Sequence, residues 1–265
     1  MASRLTPHDG LFMPLFAGVL ALAWGALVLF QLSPYGRYLD HDWTADGAGA
    51  AICSAMAGGA LLVPAALFVA GWVLMTAAMM LPTTLPLIGI FRRLVRARAD
   101  RALLLALLFA GYLAAWLAFG VAAHGLGAAL VAMVSRSPWL SFNGWLLGAA
   151  VFLLAGLFQF SALKRRCLDA CRTPLHFVLG RWRGLQPRLE SLRLGWAHGV
   201  YCVGCCWALM LLMFVVGTGS IGWMLGLGAV MALEKNSPVG RALSMPLGIG
   251  LLVTSAAIVA AHVGP

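Results

Sequence analysis

Long apolar runs dominate this sequence, and most are close to the length that crosses a lipid bilayer. Of the 265 residues, 62% are hydrophobic and only 10% are charged. A soluble domain of this size could not cover so much apolar surface with so few polar side chains. An apolar helix of about 20 residues, by contrast, spans the hydrocarbon layer at about 1.5 Å per residue. We therefore predict an all-α, polytopic membrane bundle that forms a single domain over residues 1–265.

About seven apolar stretches are predicted to be transmembrane helices. Turn-forming residues, prolines and charged loops separate them. A basic interfacial segment is expected at 164–194, with an amphipathic helix near 175–184. The sixth stretch is glycine-rich, which is expected to let it approach a neighbouring helix closely. The predicted spans are 11–31, 58–81, 102–121, 144–163, 194–216, 221–233 and 239–262.

The positions of the positive charges predict an orientation. Cytoplasmic loops of membrane proteins carry an excess of Lys and Arg. With the N-terminus inside and the C-terminus outside, all of the 18 Lys and Arg residues except Arg37 and Arg136 fall in inner loops. This orientation accounts for the net charge of +10, so a nucleic-acid partner is not expected.

The fifth predicted span concentrates side chains that bind soft metal ions. Residues three and four apart share one face of a helix. Sulfur is a soft ligand and imidazole a borderline one, and no carboxylate interrupts the series. The alternative is that the thiols only pack between helices as small hydrophobic groups. The residues on this stripe are His198, Cys202, Cys205, Cys206 and, further along, Met210.

The predicted topology brings more sulfur to the same, cytoplasmic half of the bundle. Met75 and Met79 lie one turn apart near the inner end of the second span, just before Pro82, which is expected to kink it. Cys167 and Cys171 follow the inner end of the fourth span. They would share one helix face if that helix continued. We expect them to be the pair through which an ion enters the site.

Glu234 closes the sixth predicted span at the same end. Two interpretations stay open for it. It is either an interface charge paired with its neighbour Lys235, or an acidic group turned into the bundle, where it would be a functional residue.

Thiolate and thioether ligands together favour Cu(I), whereas three Cys and one His would also suit tetrahedral Zn(II). Zinc rarely takes methionine, so copper is preferred to zinc. Thiols that face a reducing cytoplasm stay available as ligands. The expected ligands are Met75, Met79, Cys167, Cys171, His198, Cys202, Cys205, Cys206, Met210 and Glu234.

Four segments carry a resemblance to a known family. They are Trp72–Pro82, Lys164–Pro174, His198–Met210 and Met231–Lys235. Together they resemble a family of predicted metal-binding integral membrane proteins, long filed as a domain of unknown function and sometimes labelled copper chaperones. The resemblance implies a multi-pass protein of the bacterial inner membrane with a metal site. The partners expected are membrane lipid, a metal ion and a copper-receiving protein.

The leading functional hypothesis is therefore Cu(I) handling or delivery. A membrane thiol oxidoreductase that cycles Cys202 and Cys205 is a second hypothesis. A metal transporter is a third, because broken helices and a glycine-rich span suit a moving bundle. A membrane protein whose sulfurs only pack is the fourth. Whether the protein is an enzyme stays open.

Overall fold

The structure is a computed structural model that describes residues 7–32, 62–216 and 220–263. Within those residues every regular element is helical, so the predicted all-α class is confirmed. A 3-10 turn at Pro82–Thr84 joins α2 to α3. The helices are α1 (Pro7–Leu32), α2 (Leu62–Met80), α3 (Leu85–Leu94), α4 (Arg101–Arg136), α5 (Pro138–Phe142), α6 (Trp145–Gln159), α7 (Ala162–Arg172), α8 (Pro174–Leu179), α9 (Pro187–Val216), α10 (Ile221–Asn236) and α11 (Gly240–Val263).

Three helices, α4, α9 and α11, are long and apolar enough to cross a membrane. Two bent pairs, α2 with α3 and α6 with α7, raise that number to five if each pair is one span. The two remaining predicted spans fall on α1 and α10. The apolar helix within α1 covers only Met13–Leu29, and α10 has only 16 residues. The number seven and the orientation of the termini therefore stay predictions. The predicted start of the second span, at 58, lies outside the described residues.

The kink expected after Met79 is present. The segments on either side of Leu81 meet at 47°, because Pro82 cannot donate the hydrogen bond that would continue α2. The hydroxyls of Thr83 and Thr84 donate to the carbonyls of Met80 and Leu81, at 2.8 and 2.7 Å. The carbonyls freed by the break thus find partners inside the protein, as an apolar environment requires.

Two helix boundaries in the basic segment differ from the sequence expectation. The amphipathic helix is shorter than predicted, since α8 ends at Leu179 and Gly184 adopts a positive φ of 75° in the turn that follows. Helix α9 begins at Pro187 rather than near residue 194. The Glu190 carboxylate accepts backbone N–H groups from residues 183–186, which caps the first turn and accounts for the earlier start.

The sixth predicted span also extends further than expected. It was predicted to end at residue 233, with Glu234 and Lys235 as its cap, but α10 continues to Asn236. Glu234 and Lys235 therefore lie within the helix, and both are buried. Consecutive helical residues do not face the same neighbour, so the two side chains are directed to different partners.

The described core has two parts. The larger one contains the buried sulfur side chains of α2, α7, α9 and α10. The smaller one joins α3, α4, α8 and the start of α9 around Phe91 and Phe177. This second cluster holds the two Arg-rich segments, 92–101 and 164–193, at one end of the bundle.

The closest helix contact described lies between α4 and α9. A Cβ added to Gly199 would lie 2.9 Å from the Tyr112 carbonyl and 2.6 Å from the Ala115 Cβ. Gly195 faces the Leu108 backbone just as closely. The expectation that glycines of the sixth span allow a close approach is wrong, because Gly222 and Gly226 have nothing within 4 Å and Gly228 makes only an ordinary 3.8 Å contact. Small residues draw helices together only where they face a neighbour.

Replacement of Gly199 by Ala should destabilise the protein by about 1–3 kcal/mol, because the added methyl overpacks the α4–α9 contact. Thermal unfolding of the detergent-solubilised protein measures this loss. Gly226→Ala is the matched control, since that position faces open space and Ala favours a helix over Gly. Equal unfolding temperatures for the two variants would contradict this description of the contact.

Candidate metal centre

Four thiols meet where α7 packs against α9. Cys202, Cys205 and Cys206 of α9 are buried, and Cys171 of α7 is partly buried. The Cys171 thiol lies close enough to the Cys202 and Cys205 side chains to interact with both. The thiols of Cys205 and Cys206 donate to the Cys202 carbonyl at 3.1 and 2.9 Å. The sequence stripe on α9 and one member of the α7 pair therefore come together.

Lys235 of α10 reaches this thiol cluster, and it was not among the residues expected there. Its ammonium group donates to the Cys202 sulfur at 2.9 Å and to the Thr83 hydroxyl at 3.4 Å. The sulfurs of Met80 and Cys206 lie 3.7 and 3.9 Å from the same nitrogen. Lys235 is buried, so a cationic side chain lies among sulfur atoms inside the bundle.

Tyr112 of α4 is a further residue that the sequence argument missed. Its hydroxyl lies 3.1 Å from the Cys202 sulfur, and it is 3.4 Å from the Met80 carbonyl, to which it donates. The close approach at Gly199 carries Tyr112 to this position. Cys202 is thus the residue on which contacts from α4, α7 and α10 converge.

His198 lies one helical turn before Cys202, in an aromatic setting. Its ring is 5.9 Å from the ring of Tyr112 and 5.5 Å from that of Phe177. The side chain is buried, and Nδ1 finds no hydrogen-bond partner within the described residues. His198 is therefore a neighbour of the thiol cluster with an unused ring nitrogen.

The expected methionines are buried in the same core as the thiols. Met75, Met79 and Met210 all belong to the larger core cluster, and Met79 packs against Gly228 at 3.8 Å. Met80, the residue after Met79, is the thioether that contacts Lys235, and the sequence argument did not include it. Because α2 is regular through Met80, Met80 faces a different neighbour from Met79.

Glu234 is not an interface charge paired with Lys235, and that interpretation is wrong. Its carboxylate accepts from the Lys164 ammonium at 2.7 and 2.9 Å and from the Ser244 hydroxyl at 2.7 Å. Lys164 also donates to the side chain of Gln159. Lys164 and Glu234 are only 1% and 2% exposed, so this is a fully buried ion pair that links α7 to α10.

Two more contacts fix α7 beside the thiols. Arg172 donates to the carbonyl of Glu234 at 2.5 Å, and Arg241 pairs with Asp169 at 2.7 Å. Cys167, on the same helix, packs against Gly204 of α9. A Cβ added to Gly204 would lie 2.6 Å from the Cys167 sulfur. Cys167 and Cys171 lie on one helix, α7, but this helix does not continue the fourth predicted span, because α6 ends at Gln159 and α7 is bent from it by 63°. Helix α9 runs unbroken through Gly204.

In the described part of the chain, no three His, Cys, Asp or Glu side chains are arranged to hold a metal ion. The thiols are turned towards hydrogen-bond partners and towards each other instead. All five described cysteines are free. The arrangement is chemically a cluster of reduced sulfur side chains with one cation and one phenol hydroxyl in contact, and no tetrahedral site is preformed.

The described residues thus define a helical protein that has helices suited to crossing a membrane and a cluster of free thiols in its core. A family model described as PpoB2, copper chaperone, matches residues 69–258, and the chain belongs to this family. The match includes every residue of the thiol cluster. No curated protein and no solved structure matches the chain.

Breaking the buried ion pair should be costly. Glu234→Gln leaves the Lys164 charge without a counter-charge, which typically costs about 3–5 kcal/mol. The double variant Lys164→Met with Glu234→Gln should recover part of that loss, because no charge is then stranded. Denaturant unfolding of the detergent-solubilised variants measures the free energy of unfolding of each.

The exposed pair between Arg241 and Asp169 provides the control. Arg241→Gln should change stability very little, because water screens exposed ion pairs. If Glu234→Gln were as stable as Arg241→Gln, the pair would not be the buried link described above.

Proposed function

We propose that this protein binds Cu(I) as cargo and delivers it to a copper-receiving protein, and that two thiols at a time from Cys171, Cys202 and Cys205 are the ligands. The observation that carries the proposal is the position of the Cys171 thiol of α7 against the thiols of Cys202 and Cys205 of α9. The description of the family as copper chaperones supports copper as the metal. Copper is preferred to Zn(II), because the thioethers of Met75, Met79 and Met210 lie in the same core as the thiols, and zinc is bound by thiolate, imidazole and carboxylate ligands.

The chemistry of binding needs no redox partner. Cu(I) is soft and is satisfied by about two or three sulfur ligands. Each Cu–S bond forms as the thiol gives up its proton to water, and copper stays in the Cu(I) state throughout. Release is the reverse exchange, in which a thiolate of the receiving protein replaces one of the bound sulfurs before the next one leaves.

The exposure of the thiols gives the exchange a direction. Cys171 is partly buried, whereas Cys202 and Cys205 are 0% and 2% exposed. An incoming ion meets Cys171 first, with Cys167 on the same helix face, and then passes to the two thiols of α9. Met75, Met79, Met80 and Met210 would surround the bound ion as weaker thioether ligands. His198 adds an unused ring nitrogen.

Glu234 fits a positioning role better than that of a ligand, because its carboxylate is already engaged by Lys164 and Ser244. Through Lys164 it holds the helix that carries Cys171. We further propose a bacterial inner-membrane location with the thiol cluster at the cytoplasmic end. This rests on the excess of Arg at one end of the bundle and on helices of spanning length.

The test is Cu(I) binding by the purified full-length protein under reducing conditions, measured by competition with a Cu(I) chelator. Wild type should bind close to an equimolar amount of copper. Cys202→Ser should weaken binding by about tenfold or more, since it removes the sulfur shared by the whole cluster. Cys167→Ser is the matched control, because that buried thiol of α7 packs against Gly204, and its effect should be much smaller.

Absence of Cu(I) binding by reduced wild-type protein would overturn the proposal, as would an equal loss in both variants. A reversible disulfide between Cys202 and Cys205 that forms on quinone addition, without copper binding, would favour a thiol oxidoreductase instead. Uptake of copper into proteoliposomes would extend the role from delivery to transport.

A further inference from the structure

The position of Lys235 adds a charge to the sulfur cluster that copper binding by itself does not explain. Its ammonium group has sulfur and hydroxyl partners, and no carboxylate is among its hydrogen-bond partners in the described residues. The adjacent Glu234 is engaged by Lys164. A buried cation in an apolar bundle is costly unless an opposite charge is close by. The nearest atom able to carry that charge is the Cys202 sulfur, at 2.9 Å.

The cation and the thiol partner approach Cys202 from different helices. The Cys171 thiol approaches it from α7, whereas Lys235 and Tyr112 approach it from α10 and α4. A thiolate sulfur has several lone pairs, so it can bind a metal while it accepts hydrogen bonds. Lys235 therefore does not need to leave when an ion binds between the thiols of α7 and α9.

We propose that Lys235 is the counter-ion of a two-thiolate Cu(I) complex and thereby a residue that determines which metal ions this site accepts. The inference rests on the proposed function. Cu(I) with two thiolates carries a single negative charge, which the ammonium group neutralises. Zn(II) with the same two thiolates is neutral, so it would leave the buried ammonium group without a counter-charge, which is costly in a buried environment. Ag(I), with the charge and softness of Cu(I), should bind as copper does.

The surroundings of Lys235 suit a fixed counter-ion. The Thr83 hydroxyl and the Met80 thioether lie 3.4 and 3.7 Å from its nitrogen, so both neutral partners come from the broken end of α2. The Tyr112 hydroxyl lies 3.1 Å from the same Cys202 sulfur. The ammonium group is thus held at the metal-binding sulfur by neutral groups that do not compensate its charge.

The opposite role would be that of a competitor, in which the ammonium group occupies the place of the metal and must be expelled. The two roles predict opposite changes in Cu(I) affinity when the charge of Lys235 is removed. Loss of a counter-ion weakens binding of a monovalent ion, whereas loss of a competitor strengthens it.

The experiment compares Cu(I), Ag(I) and Zn(II) affinities of reduced full-length protein by chelator competition. Lys235→Met should weaken Cu(I) and Ag(I) binding by about tenfold or more, with Zn(II) binding unchanged or tighter. Lys235→Arg keeps the charge and should retain most of the Cu(I) affinity. Arg98→Gln removes a cation from the exposed pair with Asp100, between α3 and α4, and should leave all three affinities unchanged.

Unchanged Cu(I) affinity and unchanged selectivity in Lys235→Met would overturn the inference, and so would tighter Cu(I) binding. If Lys235→Met does not fold, Lys235→Gln supplies the neutral variant with a shorter polar side chain. Wild type that binds no Cu(I) would refute the proposed function itself. Wild type that binds Cu(I) through Cys202, with Lys235→Met equally competent, would refute only the role of Lys235.

Discussion

The buried lysines of this bundle must each find a partner inside the protein, and the arrangement of the site follows from how they do so. Lys164 takes the Glu234 carboxylate, and Lys235 takes the Cys202 sulfur. Because consecutive residues of a helix face different directions, one turn of α10 serves two neighbours. It fastens α7 on one side and contacts the thiols of α9 on the other. The desolvation cost of a buried charge makes both contacts strongly preferred to any arrangement that strands a lysine.

The seam between α4 and α9 supplies the second constraint. Glycine on α9 lets the two backbones come close, and this brings the Tyr112 hydroxyl to the Cys202 sulfur. The break at Pro82 supplies the third, since it ends α2 where Thr83 and Met80 can face Lys235. Three different local features, a small residue, a proline and a buried cation, therefore converge on a single cysteine.

Much of this architecture could be predicted from the sequence. Apolar length predicted the helical class, Pro82 predicted the break, and spacing predicted the shared face of the α9 thiols. The spacing of Cys167 and Cys171 predicted that one helix carries both, although that helix, α7, is bent from α6. Each of these features depends on local sequence, where periodicity and backbone chemistry act over a few residues.

The features that could not be predicted depend on tertiary contacts. Spacing grouped Met75 with Met79 on one face of α2, but it could not predict that the neighbouring Met80 is the one that meets Lys235. Sequence proximity suggested that Glu234 and Lys235 pair with each other, but each has a partner far away in the chain. Tyr112 gave a weak signal, as a hydroxyl in an otherwise apolar span. Lys235 gave a stronger signal, because an ionisable residue beside an apolar helix needs a partner that neutralises its charge.

The bend of 63° between α6 and α7 has a consequence for access. It sets α7, which carries Cys171 and several basic residues, at an angle to α6. Under the proposed function, a copper-receiving protein would approach Cys171, the partly buried thiol of the cluster, from the side of α7. The basic residues of that helix would then attract an acidic surface on the visiting protein.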